Sequence, residues 1–307
     1  MSCCLQKDHI TDLFVLIDNA IPKKLKTNGS AGRLPNLNNS ELVTILVWNV
    51  LAIKQKTLKD LHRYSTMHLD REFPKIPKYN AFLDHCHRVT GILLLVLKKL
   101  LNTKSAIKFI DSTMVEVCKN QRADSHKVAR AIADFGKNHQ GWHYGFKLHA
   151  AFDAHGRLCG FALTPASIHD SRALEVLSNK YTKVIVGDSA YGGKAMYEHI
   201  YERDGTLIIS PPHYKQTKKI AALWQNILLN LRSKVESNFD YLKNHLHLVT
   251  SFPRSVKGFL FHYVRILLGY QIGRLINIQA TRGRFSFKHG FKLSCFPPRF
   301  SFGRIMT

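Results

Sequence analysis

The chain has 307 residues, 45% of them hydrophobic, and sets 45 Lys and Arg against 21 Asp and Glu for a formal charge of +24. That apolar content over that length fills one large core and a smaller domain, which excludes a disordered or low-complexity chain. The charge points to a polyanionic partner, with nucleic acid ahead of an anionic membrane.

The apolar runs at 42–53 and 92–97 are broken or closed by Thr44, Asn49, Lys98 and Lys99. They fall short of the roughly 20 residues that span a bilayer, so no membrane partner is expected. Asp8, Asp12 and Asp18 interrupt the first apolar stretch, unlike a secretory signal, and a cytoplasmic location is expected. The six cysteines include no Cys-x-x-Cys pair and are expected to be free thiols.

Residues 1–103 read as helical. Ser40 is predicted to cap a helix through Leu42, Ile45, Leu46 and Trp48, and Thr57 a second through Leu58, Leu61 and Tyr64. Pro74 and Pro77 break the pattern before a third helix over 79–101. Short helices with basic surfaces fit a DNA-binding bundle and equally a helical packing domain.

The pattern changes near Lys104. Residues 106–118 are predicted to form a strand with Asp111 at its middle, and 142–153 and 157–164 a hairpin joined by Ala154-His155-Gly156, giving three antiparallel strands. Asp170 is predicted to cap a helix through Leu174 and Leu177. Residues 183–186 read as a buried strand ending at Gly187 and Asp188, 193–203 as a helix, 206–210 as a strand, and 220–278 as helical. This order implies an α/β fold, a mixed sheet flanked by helices, over 104–278. From Thr281 onward there are six basic residues, six phenylalanines and no acid. Residues 279–307 therefore stand outside the fold, as a nucleic-acid-binding arm or an addition beyond the domain.

No Asp or Glu occurs from Gly205 to Val235, where Lys215, Lys218, Lys219, Arg232 and Lys234 lie, and Glu236 closes that basic run. Asp111, mid-strand, is costly to desolvate unless it is paired or bound to metal. Asp188 sits outside the carboxyl end of a strand, where α/β sheets place ligands. On one continuous helix Arg232 and Lys243 fall within roughly 40° of Glu236, beside an apolar stripe of Leu228, Leu231, Val235, Phe239, Leu242 and Leu246. As surface ion pairs these contacts contribute at most about 1 kcal/mol. Three carboxylates on ordered elements fit a second reading, oxygen ligands for two Mg²⁺ ions about 4 Å apart, with Mn²⁺ able to substitute. Lys215, Lys218 and Lys219 then read as loop contacts to a DNA backbone, or equally as solvated surface.

Several segments resemble the transposases of bacterial insertion sequences that carry an Asp-Asp-Glu triad. They are Phe-Ile-Asp-Ser-Thr around Asp111, Gly-Asp-Ser-Ala-Tyr around Asp188, and Arg232-x3-Glu236-x6-Lys243. Gly-Trp-His-Tyr-Gly-Phe-Lys-Leu-His at 141–149 and Ser-Ile-His-Asp-Ser at 167–171 are similar to insertion-sequence family 982. Leu229 stands where that family places a tyrosine. The resemblance implies a ribonuclease-H-like core in which Asp111, Asp188 and Glu236 bind Mg²⁺ and catalyse, while Arg232 and Lys243 contact phosphate. It also implies double-stranded DNA partners, the terminal inverted repeats and a target, handled by a homodimer or larger assembly. His169, Lys147 and His149 are further candidates near the site, and Tyr191 and Trp142 for stacking on bases, with packing roles equally open. The competing functions are a nuclease of the same fold that only hydrolyses, and an inactive relative that occupies repeat ends as a repressor.

Overall fold

A computed structural model describes residues 8–26, 36–191, 193–211 and 222–281. Five helices open the fold: α1 (Asp8–Ala20), α2 (Asn39–Trp48), α3 (Leu58–His68), α4 (Tyr79–Arg88) and α5 (Thr90–Leu100). The start of α2 differs from the expectation for Ser40. Asn38 and Glu41 exchange side-chain and backbone hydrogen bonds of 2.7 Å each, forming a reciprocal cap. That leaves the Ser40 hydroxyl free to donate to Asp18 at 2.7 Å, which ties α2 to α1. Thr57 caps α3 as expected, accepting from the Asp60 amide at 3.1 Å. The single helix expected over 79–101 is two, because Val89, Thr90 and Gly91 place two β-branched residues and a glycine in succession.

The described residues contain six strands: β1 (Ile107–Glu116), β2 (Asp134–Asn138), β3 (Gly141–Phe152), β4 (Leu158–Pro165), β5 (Val184–Val186) and β6 (Leu207–Ile209). Antiparallel β3 and parallel β5 flank β1, and β6 extends the parallel side. On the far edge of β3, β2 and β4 pair with successive halves of the strand. The sheet is mixed and ribonuclease-H-like. Asp111 faces Ala150 in the β1–β3 register and Phe109 faces Val186 in the β1–β5 register, which brings the middle of β1 beside the end of β5.

Alternation divides the sheet into two faces. Ile110, Ala151 and Ile185 pack with Leu174 and Leu177 of α6 (Leu174–Leu177) and Ile200 of α7 (Lys194–Asp204). Phe109, Phe146, Phe152 and Val186 join the larger core with Val235, Phe239 and the first five helices. The expected continuous helix over 220–278 is three, α8 (Leu223–Leu231), α9 (Ser233–Asp240) and α10 (Val256–Thr281). The chain turns at Arg232, and α9 ends in a π turn, Tyr241–His245, before residues 246–255 return the chain to α10. Of the expected stripe, Val235, Phe239, Leu242 and Leu246 are buried, while Leu228 and Leu231 pack partly against the core.

Helix α10 is buried on nearly every side, so its sequence shows no single apolar stripe. Gln271 accepts from the Leu158 amide at 2.8 Å and donates to the Leu100 carbonyl at 2.6 Å, joining the sheet to α5. A Cβ on Gly269 would stand 2.5 Å from Val50 Cγ1, so only glycine allows α10 this approach to the π turn Asn49–Ile53 after α2. No helix among the described residues is long and apolar enough to cross a membrane.

Two buried histidines set an acid limit on this packing. His85 is bonded to Asn39 at 2.7 Å, and burial pushes it down to about 4. His262 donates to the carbonyls of His247 and Leu248 at 2.9 and 3.2 Å, and burial pushes it down to about 3. Both folded values lie below the ordinary 6.5, so the unfolded chain binds more protons in that window. Stability is full above pH 6.5 and erodes as pH falls, by about 1.4 kcal/mol per pH unit for each histidine. His262→Gln should flatten the decline of Tm between pH 6.5 and 4 in thermal melts. An unchanged slope would remove His262 as a cause.

Candidate active site

Asp111 lies mid-β1 on the face of Phe109, which α9 covers. Its Oδ1 accepts from the Ser112 amide at 2.8 Å. Burial pushes its carboxyl up to about 6, helped by the charges of Asp188 and Asp170 and opposed by the Ser112 amide and Arg232. Asp188 follows Val186 and Gly187 beyond the end of β5, and its Oδ1 accepts from the Ala190 amide at 3.0 Å. Burial raises this carboxyl too, while Arg232 and His169 lower it. A Cβ on Gly187 would meet the Tyr191 ring at 2.8 Å and Ile110 at 3.1 Å, so glycine lets the chain turn tightly into Asp188.

Glu236 approaches from α9, with its side chain 65% exposed. Arg232, at the turn between α8 and α9, links the acids. Its Nη2 lies 3.6 Å from Asp111 Oδ2 and 3.9 Å from Glu236 Oε1, and its buried Nε has no hydrogen-bond partner. The structure thus brings Asp111, Asp188, Arg232 and Glu236 to one place. Lys243 falls in the π turn rather than on the continuous helix expected, and burial lowers its ammonium, with the charge of Glu116 acting the other way. Leu229, the position of the expected tyrosine, packs against the core.

Asp170, expected as a helix cap, is the acid that sequence reasoning missed at this site. His169 is the cap, its Nδ1 accepting from the Ser171 amide at 3.3 Å. Asp170 instead turns to β3, with its Oδ1 3.0 Å from Lys147 Nζ and 3.7 Å from His149 Nδ1. Lys147 also donates to the Ile168 carbonyl at 2.9 Å, and His149 Nε2 meets Thr164 Oγ1 at 2.9 Å. Burial and Lys147 keep His149 neutral. Tyr191 is fully buried, so it offers no face to a base, and its hydroxyl sits among the charges of Asp170, Asp111 and Asp188. Trp142 is 57% exposed, with the Lys137 ammonium 5.8 Å from its ring. Lys215, Lys218 and Lys219 lie outside the described residues.

No three His, Cys, Asp or Glu side chains among the described residues stand in metal-holding geometry as they are. The donor set fits a divalent cation in its chemistry: Asp111 and Asp188 are hard oxygen donors raised by burial and by neighbouring carboxylates, and Glu236 reaches the group from an exposed helix face. The Arg232 guanidinium supplies positive charge between Asp111 and Glu236.

A family model described as the transposase DDE domain matches residues 101–256, about half of the chain. That span holds all of Asp111, Asp188, Arg232 and Glu236. No curated protein matches the chain.

Proposed function

Because the chain belongs to the transposase DDE-domain family, we propose that it binds the terminal inverted repeats of its insertion sequence, cleaves their strands and joins the freed 3′ ends to target DNA. The observation that carries this reading is the convergence of Asp111, Asp188 and Glu236 around Arg232 on a strongly basic chain. Asp111, Asp188 and Glu236 would hold two Mg²⁺ ions, or Mn²⁺ in their place. Bound metal supplies Lewis-acid polarisation of the phosphodiester and a more acidic attacking hydroxyl.

The chain's own groups position the substrate. Arg232, 3.6 Å from Asp111, would pair with a nonbridging phosphate oxygen of the bound strand. Lys243 and the Lys215, Lys218 and Lys219 run follow the backbone by counterion release. His169 stands at the rim near Asp188. Lys147, His149 and Tyr191 support the floor of the site rather than contact DNA.

Residues 1–103, with their five described helices, recognise the repeats, 104–278 form the catalytic unit, and the basic residues of 279–307 add positive charge. Two ends must meet for joining, which calls for a homodimer or larger assembly in the cytoplasm.

Strand transfer separates this function from plain hydrolysis. Precut ends carrying a 3′-hydroxyl, incubated with Mg²⁺ and plasmid target, should give covalently joined products on a denaturing gel. Cleavage of uncut ends with no joined product would assign the chain to the nuclease reading, and repeat binding without cleavage to the repressor reading.

A further inference from the structure

Away from the acids, α10 and the two π turns form a small cleft open to the surface. Lys54, Lys56, His245, His247, His262 and Arg265 line it, and the lining includes no Asp or Glu. Arg265 is only 4% exposed, yet its Nε and Nη1 have no hydrogen-bond partner, and Nη2 meets only His262 Nδ1, at 3.4 Å. A buried guanidinium without an anion or a full set of acceptors is costly. Burial pushes Arg265 down to about 10, with only the Cys86 thiol acting the other way. The charges that bear on His247 are Lys56, Lys54 and His245, all bases.

The backbone supplies an independent sign. Lys54 at φ 59° and His247 at φ 56° are the positive-φ residues other than glycine among those described, and both line this cleft. Each follows a π turn, and each is held in place. The Lys54 amide donates to the Asn49 carbonyl at 2.7 Å, while the Asn49 side chain clamps Gln55 at 3.1 and 2.9 Å. His262 holds the carbonyls of His247 and Leu248. Left-handed conformations of side-chain-bearing residues persist where their surroundings enforce them, and they cluster at ligand sites. Here both line one opening, and the buried, unpaired Nε and Nη1 of Arg265 belong to the same lining.

We propose that this cleft is an oxyanion site that takes a phosphate group, filled in the working complex by a backbone phosphate of the DNA that passes Glu236. His245 lies nine residues beyond Glu236, at the end of the π turn that closes α9. The DNA part of the assignment rests on the function proposed above; the phosphate part does not.

The test uses the full chain and the double variant Lys54→Gly/His247→Gly. Glycine adopts positive φ freely, so the fold is kept while two donors are removed. In melts containing inorganic phosphate against chloride at equal ionic strength, the wild type should gain about 2–4 °C and the variant should not. In fluorescence anisotropy with a repeat-end duplex, the variant should bind about tenfold more weakly, with a salt slope reduced by about 1. A phosphate response with unchanged DNA affinity would overturn the DNA assignment and leave a site for free phosphate. No phosphate response in the wild type would overturn the oxyanion site, even if DNA affinity fell, since loss of the Lys54 charge would then explain the fall. The melts contain no DNA, so their result stands if the chain proves not to bind repeat ends at all.

Discussion

Asp111→Asn should lower Mg²⁺-dependent cleavage of repeat-end DNA by at least about 10³-fold, the scale expected when a metal-holding carboxylate is lost, with DNA affinity within a few-fold. The same substitution should raise the stability of the metal-free protein. A carboxyl pushed up to about 6 takes up protons on folding between the ordinary 3.8 and 6. Its contribution therefore grows more unfavourable as pH rises through that window, and it stays unfavourable above it. Removing the charge is worth at most roughly 3 kcal/mol at pH 7.5, less whatever the lost pairing with Arg232 contributes, and nothing near pH 4. Melts in EDTA at pH 7.5 and 4 test the sign, and added Mg²⁺ should raise the Tm of the wild type but not of the variant. Cleavage near the wild-type rate would remove Asp111 from the chemistry. A variant less stable than the wild type at pH 7.5 would show that Asp111 is held by partners rather than strained by burial.

Asp170→Asn is expected to destabilise the fold by about 3 kcal/mol, a fall of roughly 5–10 °C in Tm. Two effects compete. Losing this charge relieves its repulsion of Asp111 and Asp188, but Asp170 is the weakest of the influences acting on Asp111. The direct contact with Lys147 at 3.0 Å is nearer, and it neutralises an ammonium almost wholly buried under β4 and the 168–170 turn. The loss of that pair therefore decides the sign. The double variant Lys147→Met/Asp170→Asn should recover most of the stability, because it removes the buried charge together with its partner. A single variant as stable as the wild type, or a double variant no better than the single, would show that the pair does not hold the turn.

Much of the site was legible in local pattern. The apolar run around Asp111, the Ala154-His155-Gly156 hairpin and the short strand ending in Gly187 and Asp188 each declare themselves within ten residues or so, and each forms where expected. Strand β2 was not legible. Its Asp-Phe-Gly-Lys-Asn has turn-forming residues and no clean alternation, and it is extended because half of the β3 edge needs a hydrogen-bonding partner. Gly136 sits there for a reason outside its own strand: a Cβ would stand 2.4 Å from the Ala166 carbonyl oxygen. The helix containing Glu236 was legible as amphipathic, but not its break at Arg232 or its π turn, because packing against β1 and α10 sets both.

Residue types and short-range spacing thus marked the basic character of the chain, the strands that carry or lead into two of the acids and the helix that carries the third. Folding alone decided which charges meet. Arg232 reaches Asp111 across 121 positions of sequence, and Asp170 leaves its expected cap for Lys147. Strand register and helix breaks determine such meetings at ångström scale, and propensity, which acts over one or two turns of chain, carries no information about them.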